Sequence, residues 1–375
     1  MLAPLKNLLD ELEQKLDYAV QQKIIACHKR ALNWEETDRL PLVVAYPYPT
    51  SAKYRPFPHH EIFSDPEKML FNELVHAFDT SIYLHDTLKD DLPYTIRANF
   101  GTVLVASLLG GRVKQRGDAP PWILHFDTQE EFMSIFNPDA HTTVLLDTVC
   151  NVYRTYLDIL ADYPNVKQCL HVVLPDLQGP LDTLELLRGS EVYLDFMLDP
   201  ELTGQALALI AEKQIRTART LEHFVTPRSD GFSFQQAVMI KGNILIRNDS
   251  AIMISPDMYR DQVAIHDEHV LAAMQTGGVH SCGKIDMNVP EILNLPSIRC
   301  FDFGQSYMND VESVYPLARD KQIPFIRIRP SKEILLSDKL RKLYPTGVSL
   351  VYDAASYEEA CFVSQTYNQR YGHNW

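Results

Sequence analysis

Long hydrophobic runs are missing from this 375-residue chain. No stretch approaches the ~18 uninterrupted apolar residues of a membrane-spanning helix, so no transmembrane segment is expected. Positive charge is also short. Against 49 Asp and Glu stand 35 Lys and Arg, a formal net charge of −14, the reverse of the basic footprint that nucleic acid or an anionic membrane surface requires. Cysteine is sparse and scattered: Cys27, Cys150, Cys169, Cys282, Cys300 and Cys361 form no C-x-x-C pair. A chain of this length buries a core without disulfide staples, so reduced thiols are expected, most of them small buried hydrophobes and one or two recruited for chemistry. There is no low-complexity tract and no internal repeat. Gly101, Gly110 and Gly111 have neither the G-x-G-x-x-G spacing nor the following Lys-Ser/Thr of a phosphate loop, and no serine sits in a nucleophile elbow. The opening residues MLAPLKNLLDELEQK carry charges throughout and no apolar signal core, so a cytoplasmic location is expected.

What is present is the composition of a globular domain, 46% hydrophobic and 22% charged. Leu5, Leu8, Leu9, Leu12 and Leu16 recur at three- and four-residue steps and predict an amphipathic helix from Leu5 to about Cys27. It either caps the bottom of the fold or joins two copies as a homodimer. From Asp38 onward short apolar runs alternate with helical stretches. The runs Leu40–Tyr46, Leu170–Leu174, Val192–Met197, Ile244–Ile246, Gly278–Ser281, Ile298–Phe303, Pro324–Ile328 and Gly347–Tyr352 read as strands. Between them, Pro200–Phe224 and Pro256–Met274 open with an acidic residue near a proline, as helix N-termini do. Buried, non-alternating strands separated by helices imply a parallel sheet, and this many units imply an α/β fold closed as a (β/α)8 barrel. The chain is read as one barrel domain over residues 1–375, with a helical extension over residues 1–37. Residues 52–143 form an insertion over the barrel mouth, expected to hold a short hairpin and helices.

The strongest site signal is His280-Ser281-Cys282-Gly283 at the end of the fifth strand candidate. Residues i and i+2 of an extended segment point to one side, so an imidazole and a thiolate can meet one ion, and barrel enzymes place working groups at strand C-termini. Around this motif the sequence resembles the uroporphyrinogen decarboxylase superfamily. The resemblance is carried by Ser255–Tyr259, by Gly277–Gly283, by Asp176–Thr183 with Leu187-Arg188-Gly189, by Asn33–Pro41, which ends in Asp38-Arg39-Leu40-Pro41, and by Ala119-Pro120-Pro121-Trp122. These blocks keep the family order and cover most of the chain beyond the N-terminal helix. Porphyrin decarboxylases of that family carry an R-Q-A-G-R segment at strand one. Here the place reads Ala45-Tyr46-Pro47-Tyr48-Pro49-Thr50, without the bidentate donors a polycarboxylate needs.

The chain is more similar to the other branch, the methylcobalamin:coenzyme M methyltransferases and their relatives. That resemblance implies zinc on His280, Cys282 and a further cysteine after the last strand, activating a thiol that accepts methyl from a corrinoid protein. At the third position this sequence has Leu350–Ala355 instead of Gly-Cys. Asp353 then supplies an oxygen ligand, or Cys361 reaches the ion, or the third ligand is lost. Asp302 is a fourth ligand or orients His280. Asp176 and Gln178, Asn248 and Asp249 lie at strand ends, where they bind substrate or merely cap loops; Tyr46 and Tyr48 are candidates for the pocket floor. His266-Asp267-Glu268-His269 reads as the solvated face of a helix. The expected function is transfer of a methyl group between a corrinoid carried on a separate protein and a small-molecule acceptor, either a thiol or tetrahydrofolate. Two rivals remain open: a metal-free decarboxylase or lyase acting on a non-porphyrin carboxylate, and a non-catalytic barrel that serves as a binding protein.

Overall fold

The computed structural model describes residues 1–47 and 53–372, with the backbone alone over residues 78–87. Tyr48 lies outside the described residues. The predicted N-terminal helix is two helices, α1 (Ala3–Lys15) and α2 (Tyr18–Leu32). The chain breaks because Leu16 is extended and the Asp17 carboxylate caps α2 by accepting from Ala19 N. The leucine periodicity was sound within α1: Leu5, Leu8, Leu9 and Leu12 are fully buried. They are covered by the chain itself, against the helices Pro66–Leu88 and Pro164–Cys169, so this face is not left over for a second copy.

In chain order the strands are β1 (Leu42–Ala45), β2 (Thr95–Ile96), β3 (Arg112–Lys114), β4 (Trp122–Leu124), β5 (His171–Val172), β6 (Phe232–Gln235), β7 (Val238–Lys241), β8 (Ile244–Arg247), β9 (Gly277–Ser281), β10 (Ile298–Phe303), β11 (Phe325–Ile328) and β12 (Val348–Asp353). Six of them make one parallel sheet in the order β1-β12-β11-β10-β9-β8, and β2 pairs in parallel with β5. Two backbone contacts lie beyond the sheet's edges. At one, Asp91 N donates to Leu42 O at 2.8 Å; at the other, Gly179 N donates to Arg247 O at 2.7 Å beside a parallel bridge between Gln178 and Arg247. The edge of β1 would otherwise bury unpaired amides. Asp91 accepts from Leu42 N and Asp90 from Val44 N, at 2.9 and 3.0 Å, while the fully buried Asp91 is held by Arg39.

One strand candidate is wrong. Val192–Met197 lies in a helix, Val192–Leu198. Six residues are too few for periodicity to separate strand from helix, and the helix wins by burying Val192 and Phe196 one turn apart while Arg188 binds Asp195 at 2.7 Å. Conversely, β2 lies inside the stretch read as an insertion, because two residues carry no pattern. That stretch also holds the expected short hairpin, β3 against β4, and helices.

On one face of the sheet Leu245, Cys300 and Ile326 form an apolar layer, closed below by Met239 and Phe232 of the β6–β7 hairpin. Two residues further along the strands the same face turns polar, with Arg247, His280 and Asp302. Gly278 is required for this packing, since a Cβ there would lie 2.4 Å from Cys300 Sγ.

Candidate metal centre

Because all strands of the sheet run the same way, the residues that follow them meet at one end. Among the described residues, Asp249, His280 and Cys282 are brought together there, each offering a ligand atom, all within 4.8 Å of one another. His280 Nε2 lies 3.4 Å from Cys282 Sγ and 3.5 Å from Asp249 Oδ1. Donors held at zinc bond lengths in a tetrahedron are spaced by about 3.3–3.6 Å, so the separations match a site of that kind. The cluster leaves room for the thiol only because residue 304 is glycine: a Cβ there would lie 2.5 Å from Cys282 Sγ.

The far side of the imidazole is fixed more strongly still. His280 is buried, and its Nδ1 lies 2.8 Å from Asp302 Oδ2. Asp302 is fully buried, which alone would raise its pKa. Arg327 and then His280 override that and hold the carboxyl well below the usual range. Arg327 reaches it through Nε at 2.8 Å and through Nη2, which also lies 3.0 Å from His280 Nδ1. Nδ1 faces Asp302 and Arg327, and Nε2 faces Asp249 and Cys282; with a cation on Nε2, Nδ1–H would donate to the Asp302 carboxylate. The structure thus settles Asp302 as the group that orients His280. Arg327 has a positive φ of 58° within a register shift between Phe325 and Ile328. A non-glycine residue pays a steric penalty there, and a bulge re-aims its side chain; the strain is spent on pointing the guanidinium at Asp302.

Asp249 opens the short helix Asp249–Met253 after β8. Its Oδ1 accepts from Cys282 N at 2.7 Å, and its own N–H donates to Asp182 Oδ2 at 2.9 Å. Asp182 also accepts from Ser250 N, and its carboxyl is pushed up to about 8 by burial and by the charge of Asp249. Burial and Asp249 likewise push the Cys282 thiol up to about 11. In this surrounding the thiol keeps its proton unless a cation joins the cluster, and a bound cation would reverse that balance. The donor set, its spacing and the oriented imidazole all fit a zinc-like ion.

A second polar group lies alongside. Asp176 Oδ1 is 2.5 Å from Arg247 Nε, an ion contact rather than an aligned hydrogen bond, and accepts from Gln178 Nε2 at 2.9 Å, while Arg97 Nη1 stands 3.5 Å from Oδ2. Gln178 and Arg247 are buried. Asp176, Gln178 and Asp249 therefore do gather at the strand ends, with Asp249 on the ligand side.

The other expected ligands are elsewhere. Asp353 ends β12, exposed, with Arg329 Nε at 2.8 Å, and Cys361 lies in the helix Tyr357–Tyr371, packed on the main core. Neither belongs to the three-residue cluster. Tyr46 follows β1 and packs 6.2 Å from the Tyr357 ring. In the stretch read as a solvated helix face, Asp267 is fully buried, bonded by Tyr259 Oη at 2.7 Å and by Asn248 Nδ2. Arg97, Arg247 and Arg327 were missed as site residues. The legible signal was an arginine inside a strand otherwise fit for burial, in Ile244–Arg247 and Phe325–Ile328, since charged residues are rarely buried unless paired. A scan of the chain against protein-family models gives no match, and a search of curated proteins gives none either.

Proposed function

We propose that this chain is a methyltransferase, moving a methyl group between a corrinoid carried on a separate protein and a thiol or tetrahydrofolate acceptor, with zinc on Asp249, His280 and Cys282. The observation that carries this reading is the oxygen, nitrogen and sulfur donor set gathered within 4.8 Å, backed by Asp302 on the far imidazole nitrogen. When bound, zinc would supply the Lewis acidity that lets an acceptor thiol shed its proton while its sulfur stays nucleophilic. The chain's own part is to orient. Asp302 and Arg327 fix the imidazole, and the Cys282 amide fixes Asp249. Asp249 is 44% exposed, so the cluster has an open side on which an acceptor can approach, as catalytic rather than structural zinc sites do.

Access for a large partner is supported by the rim. Met253, Met287, Tyr307 and Met308 are exposed on the segments that follow β8, β9 and β10, an apolar surface of the sort partner proteins cover. The reading also takes the parallel strands to close into a (β/α)8 barrel, which the contacts of Asp91 with Leu42 and of Gln178 with Arg247 support. It places the chain in the cytoplasm, where its cysteines stay free; no helix among the described residues is long and apolar enough to cross a membrane.

One observation favours a second reading, a metal-free decarboxylase or lyase: Arg97, Arg247 and Arg327 crowd Asp176 and Asp302 and could hold a substrate carboxylate. Zinc content and methyl transfer from methylcobalamin separate the two. Stoichiometric zinc, lost together with transfer in Cys282→Ala, is the expected outcome. Turnover of a carboxylate at full rate by zinc-free protein would replace the first reading by the second.

A further inference from the structure

On the β3–β4 hairpin Lys114 stands directly opposite Trp122. Cross-strand partners share a face, and so does Leu124, two residues on. This face is one wall of a cavity of about 680 Å³, whose other walls include Phe63, Arg97, Arg116 and the rigid Pro120-Pro121 pair. The lining contains no Asp or Glu, in a chain where acidic residues outnumber basic ones by 49 to 35. The nearby acids are engaged elsewhere. Asp118 faces His60, Glu73 accepts from Arg97 N and Asn99 Nδ2, and Asp176 binds Arg97 and Arg247. Lys114 and Arg116 make no ion pair among the described residues. Trp122, 52% exposed, lies on the same wall opposite Lys114.

Scattered surface lysines need no ligand to explain them. Two cations without an ion pair and an exposed indole on one concave wall, with no Asp or Glu among the described lining residues, are a different matter. Ligand cavities combine an apolar lining with a few polar groups that fix orientation. We propose that this cavity binds a small organic polyanion bearing a planar ring, its ring against Trp122 and its anionic groups on Lys114 and Arg116. Arg97, on the cavity wall, stands 3.5 Å from Asp176, which in turn contacts Arg247 at the end of β8. The proposal goes beyond the methyl-transfer reading and needs no metal.

The test is fluorescence anisotropy with pyranine, a pyrene trisulfonate, titrated with the full chain before and after chelation of metal. Saturable binding, unchanged by chelation, is expected. Lys114→Glu with Arg116→Glu should weaken it more than about tenfold, the equivalent of ~1.4 kcal/mol, and Trp122→Ala severalfold. All three side chains are exposed, so the variants should keep the fold, with circular dichroism as the check. Lys339→Glu with Lys342→Glu, the same charge change on the exposed face of Lys339–Leu343, should leave affinity unaltered. No pyranine binding at millimolar protein, equal weakening by the two double variants, or displacement by inorganic phosphate as readily as by a ring-bearing anion would each overturn the proposal.

Discussion

Asp302 touches none of the atoms a metal would, yet it decides what His280 can do. With a cation on Nε2, the Asp302 carboxylate, held ionised by Arg327, would keep the imidazole proton on Nδ1. Partners of this kind set metal affinity by about 10–100-fold. Asp302→Asn should therefore weaken zinc by that factor with all three ligands in place, read by competition with a chromogenic chelator. Zinc affinity unchanged in this variant would show that the carboxylate serves packing alone. The sequence made His280 and Cys282 legible because alternation in a strand fixes their common side. It did not make Asp249 legible as their neighbour, since that proximity comes from the pairing of β8 with β9, which single-chain periodicity does not contain. Asp353 and Cys361 were expected from the third ligand that the family resemblance implies after the last strand, and Arg329 and the core occupy them instead.

Strands supply the frame, and one of them depends on a salt bridge. β1 is finished on its outer side by Asp90 and Asp91 rather than by a long strand, and Asp91 is held by Arg39 where both are almost wholly buried. Removing one partner of a buried pair strands the other charge, at a cost of about 3–5 kcal/mol. Arg39→Ala should lower the urea midpoint by the equivalent of that amount, whereas an exposed pair such as Lys6–Asp10 should matter little. A midpoint within about 0.5 kcal/mol of the parent would mean the pair is not what secures β1. The apolar runs of β8 to β12 could be read directly. Val192–Leu198 and β2 could not: the first is a short apolar run whose state tertiary packing decides, the second too brief to show any period.

Several carboxyls outside the ligand cluster are buried, and they set how the fold responds to pH. Burial pushes Asp90 and Asp267 each up to about 7. The folded chain thus holds protons that the unfolded chain releases near pH ~4. Their contribution is complete below that pH and is lost as pH rises through about 7. His28, His76, His171 and His266 are shifted down by desolvation and act oppositely, an effect that fades as pH rises past the ordinary histidine range. Between pH 7 and 8, where these histidines are mostly neutral in both states, Asp90, Asp267 and Asp182 (pushed up to about 8) decide the sign, and stability should fall as pH rises, on the order of 1 kcal/mol per unit for each carboxyl still protonated, levelling off above about 8. Urea midpoints across that interval check this, with Asp267→Asn expected to flatten the slope; a rising midpoint would refute it.

The α/β architecture and the parallel layer followed from alternation of apolar runs with helices, because burial of a sheet between helices imposes that composition. The arginines at the strand ends did not, because their placement rests on ion pairs between distant segments and on one bulge at Arg327. Cobalt(II) titration of the metal-stripped chain, followed by absorbance, bears most directly on the metal cluster. One cobalt per chain is expected, with tetrahedral bands and a thiolate-to-cobalt charge-transfer band that disappears in Cys282→Ser. No such band in the parent chain, or the same band in Cys282→Ser, would contradict the account.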